Sequence, residues 1–227
     1  KYRNPANQAE AERYPNIDWA DWMFKDYAFS ENANVSVSGG TRFVKYYAAI
    51  DYQHEGDLFK EYDNGRGYQT TYGYNRVNMR SNLDFQLTKT TLLKTNLSGS
   101  NGVKQGPRTS YEYNIWGSAY STPPNVFYPQ YSDGTWGYDP INNANNSVAQ
   151  LALAGQNTRT TTRLTTDFTL EQKLDFIVKG LSAKASISWD NVFYEQNRGV
   201  NSTDQALYKY INPETGAVSY NPSQGSH

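Results

Sequence analysis

The sequence predicts an all-β fold, a run of long antiparallel strands that forms part of a transmembrane β-barrel. Three observations lead there. Polar and apolar residues alternate with a period of 2 over roughly ten residues at a time, in about six segments. The charged residues of those segments share one face, while the other face carries Leu, Ala, Thr and aromatic residues. The connections also sort: some are a few residues long, the rest are long, and the two kinds alternate along the chain.

The elements follow in order. Residues 1–30 are mixed: NPANQAEAERYP is polar and irregular or a short helix. NIDWADWMFKDYAF (residues 16–29) gathers Trp19, Trp22, Met23, Phe24, Tyr27 and Phe29, with Asn16 or Asp18 as a helix cap. The first strand pair alternates Val35 and Val37 with Ser36 and Ser38. It turns at Gly39 and Gly40, where glycine allows positive φ, and returns with Val44, Tyr46, Ala48, Ile50 and Tyr52 on one face. Lys45, Tyr47, Ala49, Asp51 and Gln53 lie opposite. The second pair puts Val77, Met79, Leu83, Phe85 and Leu87 against Asn78, Arg80, Asn82, Asp84 and Gln86. It turns at residues 88–91 and returns through Leu93, Thr95 and Leu97. The third sets Leu164, Phe168 and Leu170 against Arg163, Asp167 and Glu171. After a turn at VKG, Leu181, Ala183, Ala185, Ile187 and Trp189 oppose Lys184, Ser186, Ser188 and Asp190. A soluble sandwich also alternates, but its strands are usually about 5–6 residues long. It has no reason to place its short turns (GGT, TKTT, VKG) at one edge and its long connections (residues 57–74, 103–159 and beyond 198) at the other. NSVAQLALAGQ (residues 146–156) predicts a short helix inside the longest connection, ending at Gly155.

Composition narrows the function classes. A net charge of −1 gives no global field for nucleic acid. A mean hydropathy of −0.82 is low, yet 15% aromatic content with 20 Tyr and 5 Trp argues against disorder and for surfaces where a ring meets both water and an apolar phase. The absence of Cys excludes a disulfide framework and thiolate metal sites. Of two His, one is the terminal His227, so a His-based centre would rest on His54 alone. No run of about 18 apolar residues exists, which excludes a membrane helix but not a barrel strand. KYRNPANQAEAERYP has no apolar core segment, so the expectation is a removed signal or an internal piece.

YPNIDWADWMF, NVSVSGGTRFVKYYAAIDYQHEGDLF, YNRVNMRSNLDFQLTKTTLLKTNLSGS and VKGLSAKASISWD, in that order and spacing, resemble the barrel of SusC/RagA-like TonB-dependent outer-membrane transporters. The resemblance covers most of the chain and weakens at residues 111–159 and after 199. It implies a 22-stranded antiparallel barrel in the bacterial outer membrane, of which this chain supplies about six strands with long extracellular loops. It implies TonB-driven import of a bulky nutrient beneath a SusD-like surface lipoprotein: most often an oligosaccharide, with peptide import as the alternative. The length then implies that residues 1–227 are a partial barrel domain without plug or TonB box, so that TonB would act through another part of the protein. Residues 1–30 become an extracellular loop segment, 31–198 strand pairs and loops, and 199–227 an extracellular loop. Outer-membrane lipid would meet the apolar face. No enzyme activity, cofactor, metal or nucleic-acid partner is implied. A secreted β-rich carbohydrate-binding module remains the competing class, and predicts a closed sandwich.

Within residues 110–140, Trp116, Tyr120, Tyr128, Tyr131, Trp136 and Tyr138 are the candidate substrate-binding residues, because flat rings stack on sugar faces; the plainer role is folding the loop itself. Trp19 and Trp22 are candidates for contact with the lipoprotein, and a docked helical turn is their plainer role. Asp133, Gly134 and Asp139 do not match a calcium-loop spacing and read as turns. Asn201-Ser202-Thr203 matches a glycosylation pattern without meaning in a bacterial outer membrane. Asp84, Asp167 and Glu171 read as solvated wall groups rather than a catalytic carboxylate pair. Trp189 and Tyr194 read as lying toward the extracellular end of their strand, with Trp189 as an aromatic-girdle anchor.

Overall fold

A computed structural model of the chain describes residues 1–64, 67, 70–108, 112–198 and 206–222. His227 and the Asn201–Thr203 pattern lie outside the described residues. Six strands form one antiparallel sheet: β1 (Ser30–Gly40), β2 (Val44–Glu55), β3 (Gly73–Gln86), β4 (Thr91–Arg108), β6 (Gly155–Lys173) and β7 (Ser182–Arg198). A second, three-stranded sheet holds β5 (Trp136–Gly137), β8 (Leu207–Ile211) and β9 (Val218–Pro222). Among the described residues there are also four short helices: α1 (Gln8–Arg13), α2 (Trp19–Met23), α3 (Glu112–Ser121) and α4 (Ser147–Leu153).

The register bears out the two faces. One row across the large sheet runs Val35, Ile50, Met79, Gly99, Leu164, Asn191; the next runs Val37, Ala48, Ser81, Leu97, Thr166, Trp189. The adjacent row on the opposite face runs Asn34, Asp51, Asn78, Ser100, Arg163, Val192, so the pattern in these rows departs only in β7 beyond Asp190, where Asn191 and Val192 exchange faces. The six strands are 11 to 19 residues long, close to the roughly ten expected in β1 and β2 and well beyond it in β4, β6 and β7. A barrel strand needs only about 9–11 residues to cross the hydrocarbon, so the excess extends past it. Trp189 stands near the middle of the 17-residue β7, not toward its long-loop end.

The first turn is not where the glycine pair lies. Gly39 and Gly40 belong to β1 and pair with Tyr46 and Lys45, without positive φ. The chain turns over residues 41–43, where the Thr41 hydroxyl accepts from the backbone N–H of Phe43 and Val44. The glycines serve close approach instead: a β-carbon on Gly39 would stand 2.6 Å from the Tyr46 phenol oxygen, and one on Gly40 would stand 2.9 Å from the Val44 carbonyl. The third turn is also longer than VKG, covering residues 174–181. It closes through Gly180, with φ of 82°, whose N–H donates to Asp175. The loop sorting holds: three short connections at one edge, and the long 56–72 and 109–154 connections at the other. The longest connection is shorter than expected, because β4 runs to Arg108 and β6 begins at Gly155.

Among the described residues, every buried Ala, Val, Ile, Leu, Met, Phe, Tyr and Trp lies outside the six strands. The core is a folded cap on the long-loop edge, built from Ile17, Trp19, Met23, Phe59, Ile115, Phe127, Trp136, Val148 and Leu151. The large sheet instead exposes Val35 (74%), Ile187 (73%), Ile50, Met79, Phe168 and Leu170. An apolar surface of that extent marks contact with another apolar phase. The closed sandwich required by a secreted carbohydrate-binding module, with apolar residues buried between two inner faces, is not what the chain forms. No helix among the described residues is long and apolar enough to cross a membrane.

Candidate functional site

The cap is assembled from segments far apart in sequence. Asp18 caps α2 by accepting from the Asp21 N–H at 3.1 Å, which points Trp19 inward. Trp19 is 4% exposed, sits edge-on to Phe127, and donates its indole N–H to the Pro123 carbonyl at 3.2 Å. Asn146 caps α4, and its amide also donates to the carbonyls of Pro129 and Gly137, tying helix to loop. The predicted helix is present but ends at Leu153, with Ala154 as its C-cap, and Gly155 already begins β6. Asp57 gathers the 56–72 connection by accepting from the N–H groups of Phe59 and Tyr72. Burial raises its carboxyl pKa above the usual range, against those two donors.

The structure divides the eight sequence-selected aromatics. Trp116 and Tyr120, on α3, remain open at 42% and 74% exposure. Both stack on Phe24, at ring distances of 5.3 and 6.2 Å, and Trp116 also meets Phe59 at 4.8 Å. Tyr128 is half-buried and edge-on to Trp22, which stacks on Tyr62. The Tyr62 hydroxyl donates to the Trp22 carbonyl, and burial pushes the Tyr62 pKa up to about 12. Tyr131, Trp136 and Trp19 are buried parts of the cap interior. Tyr138 packs on Tyr210 and shares a hydrogen bond with Ser219 at 3.1 Å, holding β9 in place. Sequence reasoning missed Phe24, Phe59, Tyr62 and Tyr72 as parts of this aromatic layer, because they lie in other loops. Asp133 and Gly134 form a turn, with Gly134 at φ 83° and its N–H donating to the Tyr131 carbonyl.

Below the cap, the polar face of the large sheet is hollowed. A hollow of about 460 Å³ is lined by Tyr47, Asp51, Arg76, Arg80, Ser100 and Arg163, among others. A second of about 310 Å³ adjoins it through Arg76, Ser100 and Arg163. Toward the short-turn edge the charges are paired instead: Glu171 meets Lys94 at 2.9 Å and Lys184 at 3.9 Å, and the Ser188 hydroxyl donates to Asp167. These carboxylates are wall groups bound to neighbours. His54 shares a 2.7 Å hydrogen bond with Asn75. No cluster of three or more His, Cys, Asp or Glu able to hold a metal occurs among the described residues.

No family model matches the chain. A TonB-dependent receptor of Formosa agariphila is 30% identical over 151 residues, covering 62% of this chain. The chain resembles part of a TonB-dependent receptor barrel. Its fold also matches part of two solved structures. The RagAB peptide transporter matches 80% of this chain at a TM-score of 0.58 and 17% identity. The RagAB peptide importer in a "closed-closed" state matches 85% at 0.59 and 16%. The chain spans 13% of the length of the Formosa receptor and 19% and 21% of the two solved chains. In a TonB-dependent receptor wall, an outward apolar face and an inward polar face are what lipid and a hydrated lumen require.

Proposed function

We propose that this chain is a wall-and-cap section of a TonB-dependent transporter in the bacterial outer membrane. In this reading it imports a bulky oligosaccharide together with a SusD-like surface lipoprotein, with TonB acting through another part of the protein. The wall belongs to a 22-stranded barrel, and other strands of the same protein pair with β1 and β7. Residues 1–30 and 199–227 belong to its extracellular loops. Binding and passage are its work, not bond making. The observation that carries the reading is the open aromatic edge of Trp116 and Tyr120, stacked on Phe24 on the long-loop side of a polar, hollowed sheet face. Rings held this way offer flat apolar faces to sugar rings, and the wall beneath offers hydrogen-bonding groups. Trp22, half-buried at the cap surface, is the better placed of the two tryptophans for the lipoprotein, since Trp19 lies inside the cap. A peptide substrate is the second reading, favoured by the two solved structures, whose titles name peptide transport. Uptake and binding by the intact complex, scored in parallel with oligosaccharides and peptides of similar size, test the choice. Retention of oligosaccharides supports the first reading, and retention of peptides alone replaces it with the second.

A further inference from the structure

Two strands of the wall carry arginines at matching intervals. Arg76 and Arg80 lie on β3, and Arg159 and Arg163 on β6, each pair four residues apart and therefore on one face. Between them β4 presents Ser98, Ser100 and Gly102, with Lys104 beyond. The register sets Arg80 beside Ser98 and Arg76 beside Gly102 on one side, and Ser100 beside Arg163 and Lys104 beside Arg159 on the other. The result is a trough with a floor of small residues and walls of guanidinium groups two strand spacings apart, about 10 Å. The two adjoining hollows are this trough.

Its charges are free. None of these five cations forms an ion pair among the described residues, and Arg76 has only the Asn78 side chain, at 2.8 Å, as a hydrogen-bond acceptor. Asp51, Glu55 and Asp190 share this part of the face, three acids against five cations: Asp51 accepts from Asn78, Glu55 lies in the row of Lys104 and Arg159 and accepts from Gln53, and Asp190 sits across from Thr165 on β7. At the other end of the same wall the charges alternate and neutralise: Lys45 beside Asp84, Asp84 beside Lys94, and Glu171 between Lys94 and Lys184. The wall thus balances its charge toward the short turns and leaves it positive beneath the cap. Guanidinium groups match carboxylate and sulfate oxygens in shape as well as charge.

We infer that this trough binds the acid groups of an anionic oligosaccharide, one bearing carboxylates or sulfates along its length. The inference rests on the oligosaccharide reading above and narrows it. The occupant is the substrate, because the positive stretch lies on the long-loop side of the wall, where Tyr72 of the aromatic layer closes on Gly106 of β4, two residues beyond Lys104.

The test uses the intact transporter complex in detergent, with four probes of similar length: oligogalacturonate, sulfated dextran, neutral maltodextrin and poly-glutamate. The acid-bearing glycans should bind about tenfold or more tighter than maltodextrin at low salt, and lose that margin as salt rises. Comparing oligogalacturonate with sulfated dextran tells carboxylate from sulfate. The double variant R80Q/R163Q should erase the margin by weakening the acid-bearing glycans far more than maltodextrin, and R80K/R163K should restore part of it. Equal affinity for charged and neutral glycans overturns the inference and leaves the oligosaccharide reading standing. Binding of poly-glutamate alone overturns both. Variants that shift the melting temperature without changing any affinity would show the arginines facing other protein, and overturn it too.

Discussion

The Lys209 ammonium reaches the Asp133 carboxylate at 2.5 Å and stands 4.2 Å from the centroid of the Tyr131 ring, with its side chain 8% exposed. This contact locks β8 to the turn before β5. Burial would push the Asp133 carboxyl up, but the hydrogen bonds from Lys209 and Thr135 overcome it and hold the pKa down at about 2. The carboxylate is therefore more stable in the folded cap than in an unfolded chain. Its contribution is complete above about pH 4 and is lost as pH falls through about 2. Trp136 fluorescence should report this, since Trp136 pairs with Tyr208 beside Lys209. The acid-side loss of cap structure should flatten in D133N, and cap stability at neutral pH should fall by about 1–2 kcal/mol. The cost stays below that of a fully buried pair because the Asp133 side chain is 44% exposed.

At the first turn, the two glycines should differ. A methyl group at Gly39 meets the far end of the Tyr46 side chain, which can swing, whereas one at Gly40 meets the backbone carbonyl of Val44. G40A should cost about 1–3 kcal/mol and G39A less than about 1 kcal/mol. Adding Y46A should abolish the G39A penalty. Heat or urea unfolding of the refolded barrel measures each.

The aromatics of the cap should separate by exposure. W136A removes a ring that is 5% exposed and should destabilise the cap by about 3–5 kcal/mol. Y120A removes an open ring and should weaken substrate retention several-fold while the cap melts normally, whereas W116A, whose ring also packs on Phe24 and Phe59, should weaken retention with some loss of cap stability. If both leave affinity and uptake unchanged, the aromatic layer is not a substrate surface.

The two faces of β3 should respond oppositely to charge. Met79 is 58% exposed on the apolar face, and Asn82 lies on the polar one, across from Tyr47. M79R near the bilayer midplane should cost about 2–4 kcal/mol, while N82R should be tolerated. Folding into vesicles of defined lipid provides the readout.

The faces of all six strands were legible in the sequence because period 2 is a local property, set by the pleat. Turn chemistry was less so: Gly39 and Gly40 look like a turn, yet their role comes from a ring on the next strand. The cap was largely illegible. Its contacts join residues more than a hundred positions apart, such as Trp19 with Pro123, and a two-residue pairing such as β5 with β8 leaves no periodic trace. The choice between a buried Tyr131 and an open Tyr120 depends on those contacts. The arginine trough had a signal, the spacing of four in Arg76 and Arg80 and again in Arg159 and Arg163, but only the register places the two pairs on either side of β4.

The most direct test of the barrel reading is accessibility along β7. The chain has no cysteine, so single cysteines at positions 186–189 carry the label in the intact protein once any cysteine elsewhere has been replaced. Fluorophores at Ile187 and Trp189 should be quenched by lipid-borne quenchers and protected from aqueous ones, and those at Ser186 and Ser188 should show the reverse. Loss of this alternation, with all four positions equally open to water, would contradict the account.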